Sequence, residues 1–389
     1  MHNSFFPSSI DEVSKNIEYI LDDILTLVDS ESYSTDLAQL DETIELVKTI
    51  FSQRLGKPDA LKRFKSKTHG DAMLFRYDGK SSSTENPEVV TFIGHYDTVW
   101  PTGTIKNWGP RDFTDEAGRR VLSGPGIFDM KTGVVESIWV AKLLRELDDY
   151  PTIQFLINGD EELGSPFSRS IIEDVASKSD SVLVFEASEQ GQIKTARKGV
   201  GLITITATGI ESHAGLDPTK GASAISALLE IGLQVNRLAN LEKGTTVNIG
   251  LLSGGSGTNV VAGKATAKID IRIEDPAERD RLDQALDSIT WQDSRVKISI
   301  DRDWNRPPMV FTPQSQQLFA RIEEAGKKLG KEVVHTAVGG ASDANYVSAL
   351  GVPVICGVGA FGGGAHARHE FIYPDELPYG IALLVETFK

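Results

Sequence analysis

EVVTFIGHYDTVWP, residues 88–101, is the stretch on which the fold turns. Its first half is apolar and rich in β-branched residues, so it reads as a strand buried on both faces. The strand ends on His95, with Asp97 two residues on and Pro101 closing the segment. An imidazole and a carboxylate at a strand end are either a local hydrogen bond or one corner of a site. What the chain brings to the same edge decides between them.

Outward from that strand, TIQFLIN (152–158) and SVLVF (181–185) are similar apolar runs, and a helical pattern spans 131–147 between the first two. Buried strands separated by amphipathic helices predict an α/β domain with a largely parallel sheet, whose ligands bind beyond the carboxyl ends of the strands. Residues 9–29 predict one amphipathic helix, with Ser9 and Glu12 as a capping box. Near residue 198 the pattern changes. LITITATG (202–209) alternates, a helix is expected over about 218–238, and TTVNIGLLSGG and TAKIDIRIED read as further strands. The helix–strand pattern resumes after WNRPPM, with a helix in QQLFARIEEAGKKLG and a buried strand in VPVICGV. The expected organisation is a catalytic domain of residues 1–197 and 303–389, interrupted by a smaller α+β domain of 198–302. KSSSTENPE (80–88) reads as a surface loop.

The 389 residues carry 55 acidic against 40 basic side chains, a formal charge of -15. That balance argues against a nucleic-acid partner, which needs clustered cations, and suits a protein that gathers carboxylates around metal ions. The single cysteine, Cys356, lies in an apolar run and reads as a core thiol. Without a basic n-region, a long apolar h-region or a bilayer-length apolar run, the expected setting is the cytoplasm, with no membrane partner.

Four further segments place acids or histidines at strand ends. NGDEELGS (158–165) brings Asp160, Glu161 and Glu162; SGPGIFDMKTG (123–133) brings Asp129; SVLVFEAS brings Glu186; FGGGAHARHEF brings His366 and His369. Each has an ordinary reading: a solvated acidic loop, a helix N-cap, a strand end, a loop histidine. Taken together they converge on one edge of one sheet. Two histidines with several carboxylates and no cysteine suit Zn²⁺, Mn²⁺ or Co²⁺, and the acids are too many for a single tetrahedral zinc. Two divalent metal ions are therefore expected, zinc before cobalt or manganese.

These motifs, with SHAG and GGASDANYV, run in order along almost the whole chain and resemble metallopeptidase family M20, its glutamate carboxypeptidase branch most closely. The resemblance implies a zinc-peptidase-like catalytic domain and a ferredoxin-like dimerisation domain, hence a homodimer. It implies His95 and Glu186 on one metal, Glu162 and His366 on the other, and Asp129 bridging them, with a cis peptide after Asp129. Glu161 would be the general base, and Asp97 would orient His95. His366 is favoured over His369 because it precedes Glu370 by four residues. His213 of SHAG would support the oxyanion from the partner subunit, although such a histidine also suits capping the following turn. Asn259, Arg272 and Gly340 would contact substrate, although Arg272 equally reads as a surface charge. Asp343 reads as a helix N-cap, and Arg197 and Lys198 as hinge-surface charges or attractors of an acidic substrate. The implied reaction is metal-dependent hydrolysis of an amide in a small peptide or N-acyl amino acid. Release of a C-terminal amino acid stands first, deacylation or desuccinylation second, and a non-catalytic metabolite-binding relative last.

Overall fold

The computed structural model describes residues 9–82 and 87–389; the core of the loop expected over 80–88 lies outside the described residues. The chain divides into two compact units. The first holds an eight-stranded mixed sheet in the order Ala60–Phe64, Ala72–Tyr77, Thr152–Asn158, Val89–His95, Ser181–Val184, Val354–Cys356, Ile193–Arg197, His335–Val338. Val89–His95 is central and pairs in parallel with both Thr152–Asn158 and Ser181–Val184, and Val354–Cys356 extends the parallel set. Their apolar runs are what a sheet covered on both faces demands. Register places His95 directly beside Asn158, so the loops after these two strands emerge together.

The sheet is clamped by aromatic side chains. Phe155 meets Phe51, Tyr77 and Phe92 edge-on, and Phe92 also meets Phe185. All five rings are essentially excluded from solvent, so truncating Phe155 to Ala would cost about 3–5 kcal/mol.

The N-terminal helix, its cap and the bounds of two later helices differ from expectation. The N-terminal helix is two helices, Ser9–Lys15 and Ile17–Asp29. Asn16 lies between them, its side-chain amide donating to the Glu12 carbonyl at 2.9 Å, the competition with helical backbone that asparagine offers. No capping box forms: the Ser9 hydroxyl donates to Glu386, and Glu12 pairs with Lys15. The helix expected from 131 is Thr132–Leu144, entered through a single wide turn, Ile127–Lys131, that carries Asp129. The helix expected over 218–238 is shorter, Ala224–Asn236, with the Ser223 hydroxyl accepting the Ser226 N–H as its cap.

A small antiparallel sheet went unread in the sequence. Its order is Gly362–Gly363, Phe371–Ile372, Arg120–Ser123, Asp112–Thr114. The first two strands form a hairpin whose loop carries His366, and pairing of Phe371 with Ser123 ties that loop to the segment leading into Asp129.

The second unit comprises Arg197–Val310 with Val338–Ala341. Its sheet is antiparallel, in the order Thr246–Gly254, Lys264–Ile273, Gly199–Thr208, Lys297–Arg306. The last strand runs past residue 302 to Arg306, where Pro307 and Pro308 remove the donors it would need to continue. Helix Ala224–Asn236 buries Ala227, Leu228, Ile231 and Val235 in a core shared with Ile203, Ile205, Ile269 and Ile271 of the sheet. Among the described residues no helix is long and apolar enough to cross a membrane.

Candidate metal centre

His95 closes a strand that is buried from Val90 onward, and its ring is 1% exposed. Behind it, Nδ1 lies 3.0 Å from the Asp97 carbonyl oxygen and 3.4 Å from Asp97 Oδ1. In front, Nε2 lies 3.2 Å from Asp129 Oδ1 and 3.9 Å from Glu186 Oε1. Across the site, His366 Nε2 stands 3.3 Å from Asp129 Oδ2 and 3.2 Å from Glu162 Oε2. Each oxygen of Asp129 thus faces a different histidine. His366, and not His369, is the residue of its loop that reaches these acids. It does so from a backbone φ of 60°, a left-handed conformation uncommon outside glycine and frequent at sites.

Local structure explains each placement. Asp129 sits in non-helical backbone within the turn that precedes Thr132–Leu144, and its peptide bond to Met130 is cis; its side chain caps no helix. That helix can start close to Glu186 because residue 133 is glycine: a Cβ there would lie 1.9 Å from the Phe185 carbonyl oxygen. Glu161 and Glu162 occupy a short 3₁₀ turn closed by Gly164. Their N–H groups donate to Asp97 Oδ1 and Oδ2, both at 3.2 Å. The third acid, Asp160, turns inward, fully buried, and accepts the N–H groups of Phe167 and Ser168. DEE therefore splits into one structural and two site-facing acids. Asp343 precedes helix Ala344–Ala349 without capping it. Its carboxylate instead accepts from Ser165 and, at 2.8 Å, from Asn158. Cys356 is buried beside the Ser342 hydroxyl.

The electrostatics are those of an anionic cluster. Burial alone would lower the His95 pKa, but its hydrogen bonds to Asp129 and Asp97 outweigh this and hold it well above the usual value. Asp129 and Glu162 raise His366 to about 11. Burial would raise Asp129, yet both histidines drive it far below the usual carboxylate range. Burial pushes Glu162 up to about 7. A field of this sign favours cations. Glu162 Oε1 is buried with no hydrogen-bond partner, an atom a cation would satisfy. His95, Asp129 and Glu162 offer ligand atoms within 4.8 Å of one another, as do His95, Glu161 and Glu186. This oxygen-rich, two-histidine set fits hard or borderline divalent ions.

The other expected site residues lie in the second unit. His213 is exposed, and its Nδ1 accepts the N–H groups of Gly215 and Leu216 at 3.2 and 3.1 Å. This caps the turn and also fixes the tautomer that carries hydrogen on Nε2. Asn259 is its neighbour, its carbonyl accepting the Ala214 N–H at 2.8 Å. Arg272 is held by Asp270 through two bonds of 2.9 Å. The Gly340 carbonyl receives the Arg197 guanidinium at 3.0 Å, and Lys198 pairs with Glu274 at 3.0 Å, so both of these cations are engaged within the unit. Glu370, used in the sequence only to fix the register of His366, is fully buried and accepts the Asp129 N–H at 3.0 Å. The one sequence signal for it is an acid at the end of a glycine- and histidine-rich loop.

Comparison with known proteins finds relatives in sequence and in fold. Carboxypeptidase G2 of Pseudomonas sp. (strain RS-16) is 29% identical over 322 residues, covering 79% of this chain and 74% of the relative. A tripeptidase from Staphylococcus aureus matches with a TM-score of 0.76 at 21% identity, covering 96% of this chain and 98% of that one. A dinuclear metal-binding peptidase of family M20 from Bacillus subtilis matches with a TM-score of 0.65 at 13% identity, covering 96% and 97%. The family model described as peptidase family M20/M25/M40 matches residues 91–389. This chain belongs to that peptidase family and is a metallo-hydrolase.

Proposed function

We propose that this protein is a dinuclear zinc carboxypeptidase that hydrolyses the last amide of a small peptide or N-acyl amino acid and releases the C-terminal amino acid. The observation that carries the proposal is Asp129, whose two oxygens face two histidines on opposite sides. His95 and Glu186 would complete one ion's protein ligands, and Glu162 and His366 the other's. Similarity to carboxypeptidase G2 supports the carboxypeptidase reading over the deacylase one.

When bound, the two ions supply Lewis acidity to the scissile carbonyl and to water. Glu161 takes the proton from the attacking water and hands it to the leaving nitrogen. Asp97 keeps His95 in one tautomer and orientation. Nε2–H of His213, supplied by a second copy, donates to the oxyanion. Asn259 and the backbone at Gly340 bind the substrate's carboxylate end, and Arg272 joins them by exchanging Asp270 for it. A homodimer through the second unit suits its surface: Leu229 and Leu233 are exposed on helix Ala224–Asn236, and Leu251 and Leu252 on the outer strand.

The test is hydrolysis by zinc- or cobalt-loaded protein of matched panels: dipeptides, N-acyl glutamates and N-succinyl amino acids. Turnover of acyl-glutamates and peptides with a free C-terminus, lost when that carboxylate is amidated, supports the reading. Preference for N-succinyl substrates whatever the state of that end replaces it with a desuccinylase, and no turnover of any panel overturns it.

A further inference from the structure

We infer that Glu370 is a positioning residue that aims Asp129 by gathering the backbone N–H groups of its loop, with Trp100 fixing Glu370 in turn. The inference rests on Asp129 being the ligand shared by both metals.

Four donors converge on this one carboxylate. Oε1 accepts the N–H groups of Phe128 and Asp129 at 2.8 and 3.0 Å; Oε2 accepts Gly126 N–H at 3.0 Å and the Trp100 indole N–H at 2.9 Å. The loop is irregular backbone inside the protein: Gly126 has a φ of 74°, and Asp129 has φ -118° and ψ 96°. Buried N–H groups outside helices and strands must find acceptors or carry the cost of desolvation. Here one side chain takes three of them from four consecutive residues, and so fixes the path of the loop that presents Asp129.

The chain makes this clamp with little sequence. His366 and Glu370 belong to one loop, four residues apart. His366 approaches the Asp129 side chain while Glu370 holds its backbone. The hairpin that carries them is secured again where the Ser123 hydroxyl donates to the Glu370 carbonyl at 2.6 Å, and the Trp108 indole donates to the Ser123 hydroxyl at 2.8 Å. Trp100 follows Asp97 in the loop after the His95 strand. Glu370 therefore links the loops of His95, Asp129 and His366, and touches none of the reacting atoms.

A carboxylate is required by donor count. Glutamate offers acceptors on both oxygens, whereas glutamine has the same shape but turns an NH₂ toward two of the four donors. Glu370→Gln is thus a conservative probe of the clamp. In calorimetric titration of zinc into metal-stripped protein, Glu370→Gln should bind about 10- to 100-fold more weakly than wild type. Its kcat should fall by a similar factor with KM unchanged, and the visible spectrum of the cobalt-loaded variant should shift. Trp100→Phe, which removes one donor, should weaken zinc by about tenfold, and it decides the matter should Glu370→Gln fail to fold. Unchanged zinc affinity and cobalt spectrum in either folded variant, with only a lower Tm, would reduce Glu370 to a structural filler and overturn the inference. Failure of wild type itself to bind zinc would instead overturn the underlying reading of the site.

Discussion

Asp97 accepts the backbone N–H of Glu162 at 3.2 Å through Oδ2, the same oxygen that receives the Ser34 hydroxyl at 2.9 Å. Its other oxygen takes the Glu161 N–H and lies beside His95 Nδ1. One fully buried carboxylate thus holds a histidine of one proposed metal site, an acid of the other, and the proposed base. Asp97→Ala should weaken zinc about 10- to 100-fold, measured by competition with a chromophoric chelator. Its secondary structure should be retained by circular dichroism. Unchanged affinity together with unchanged rate would reduce the His95–Asp97 pair to a local hydrogen bond.

Glu161 is the acid assigned to proton transfer, although it stands within the same 4.8 Å cluster as His95 and Glu186. Glu161→Gln separates base from ligand. It should keep two metal equivalents by elemental analysis while kcat falls about 10²- to 10⁴-fold. Loss of one metal equivalent would make Glu161 a ligand, and near-normal turnover would remove it from the mechanism.

His213 presents a fixed Nε2–H on an exposed loop. His213→Ala should lower kcat by about 100- to 1,000-fold and leave metal content unchanged. A mixture of His213→Ala and Glu161→Gln proteins, each impaired alone, should recover activity on subunit exchange, because one active site of the proposed mixed dimer would be intact. No recovery in proven mixed dimers would place His213 in its own subunit's site or outside catalysis.

Much of this was legible because it is local. Strand ends, the acids that follow them and the histidine loop are marked by short apolar runs and glycines, so His95, Asp129, Glu162 and Glu186 stand out as candidates in 389 letters. What stayed hidden is long-range. Asp343 reads as an N-cap because its neighbours begin a helix, but its partners, Asn158 and Ser165, lie far back along the chain. Glu370 carries no local mark of the four N–H groups it serves. The hairpin of Gly362–Gly363 and Phe371–Ile372 is too short for any periodicity to register. The break at Asn16 was masked by apolar spacing that continues across it.

Glu278 tests the second unit by itself. Arg281, Thr245 and Lys243 hold its carboxylate down to about 2, with bonds from Arg281 at 2.6 and 2.9 Å and from Thr245 at 2.7 Å. Its folded pKa lies below the unfolded value of about 4.3. The stabilisation is therefore complete above that pH and is lost as pH falls through 4 toward 2. Wild type should denature at higher urea than Glu278→Gln at pH 6, and the gap should narrow steadily below about pH 4. A gap independent of pH would mean that shape, not charge, supports this position.

The central claim is that Asp129 is shared by two metal ions, and calorimetric titration of zinc into metal-stripped wild type and Asp129→Asn protein tests it most directly. Two equivalents bound tightly by wild type, with both weakened by the single substitution, is the predicted result. A single equivalent in wild type, or a variant in which only one of two sites is weakened, would contradict it.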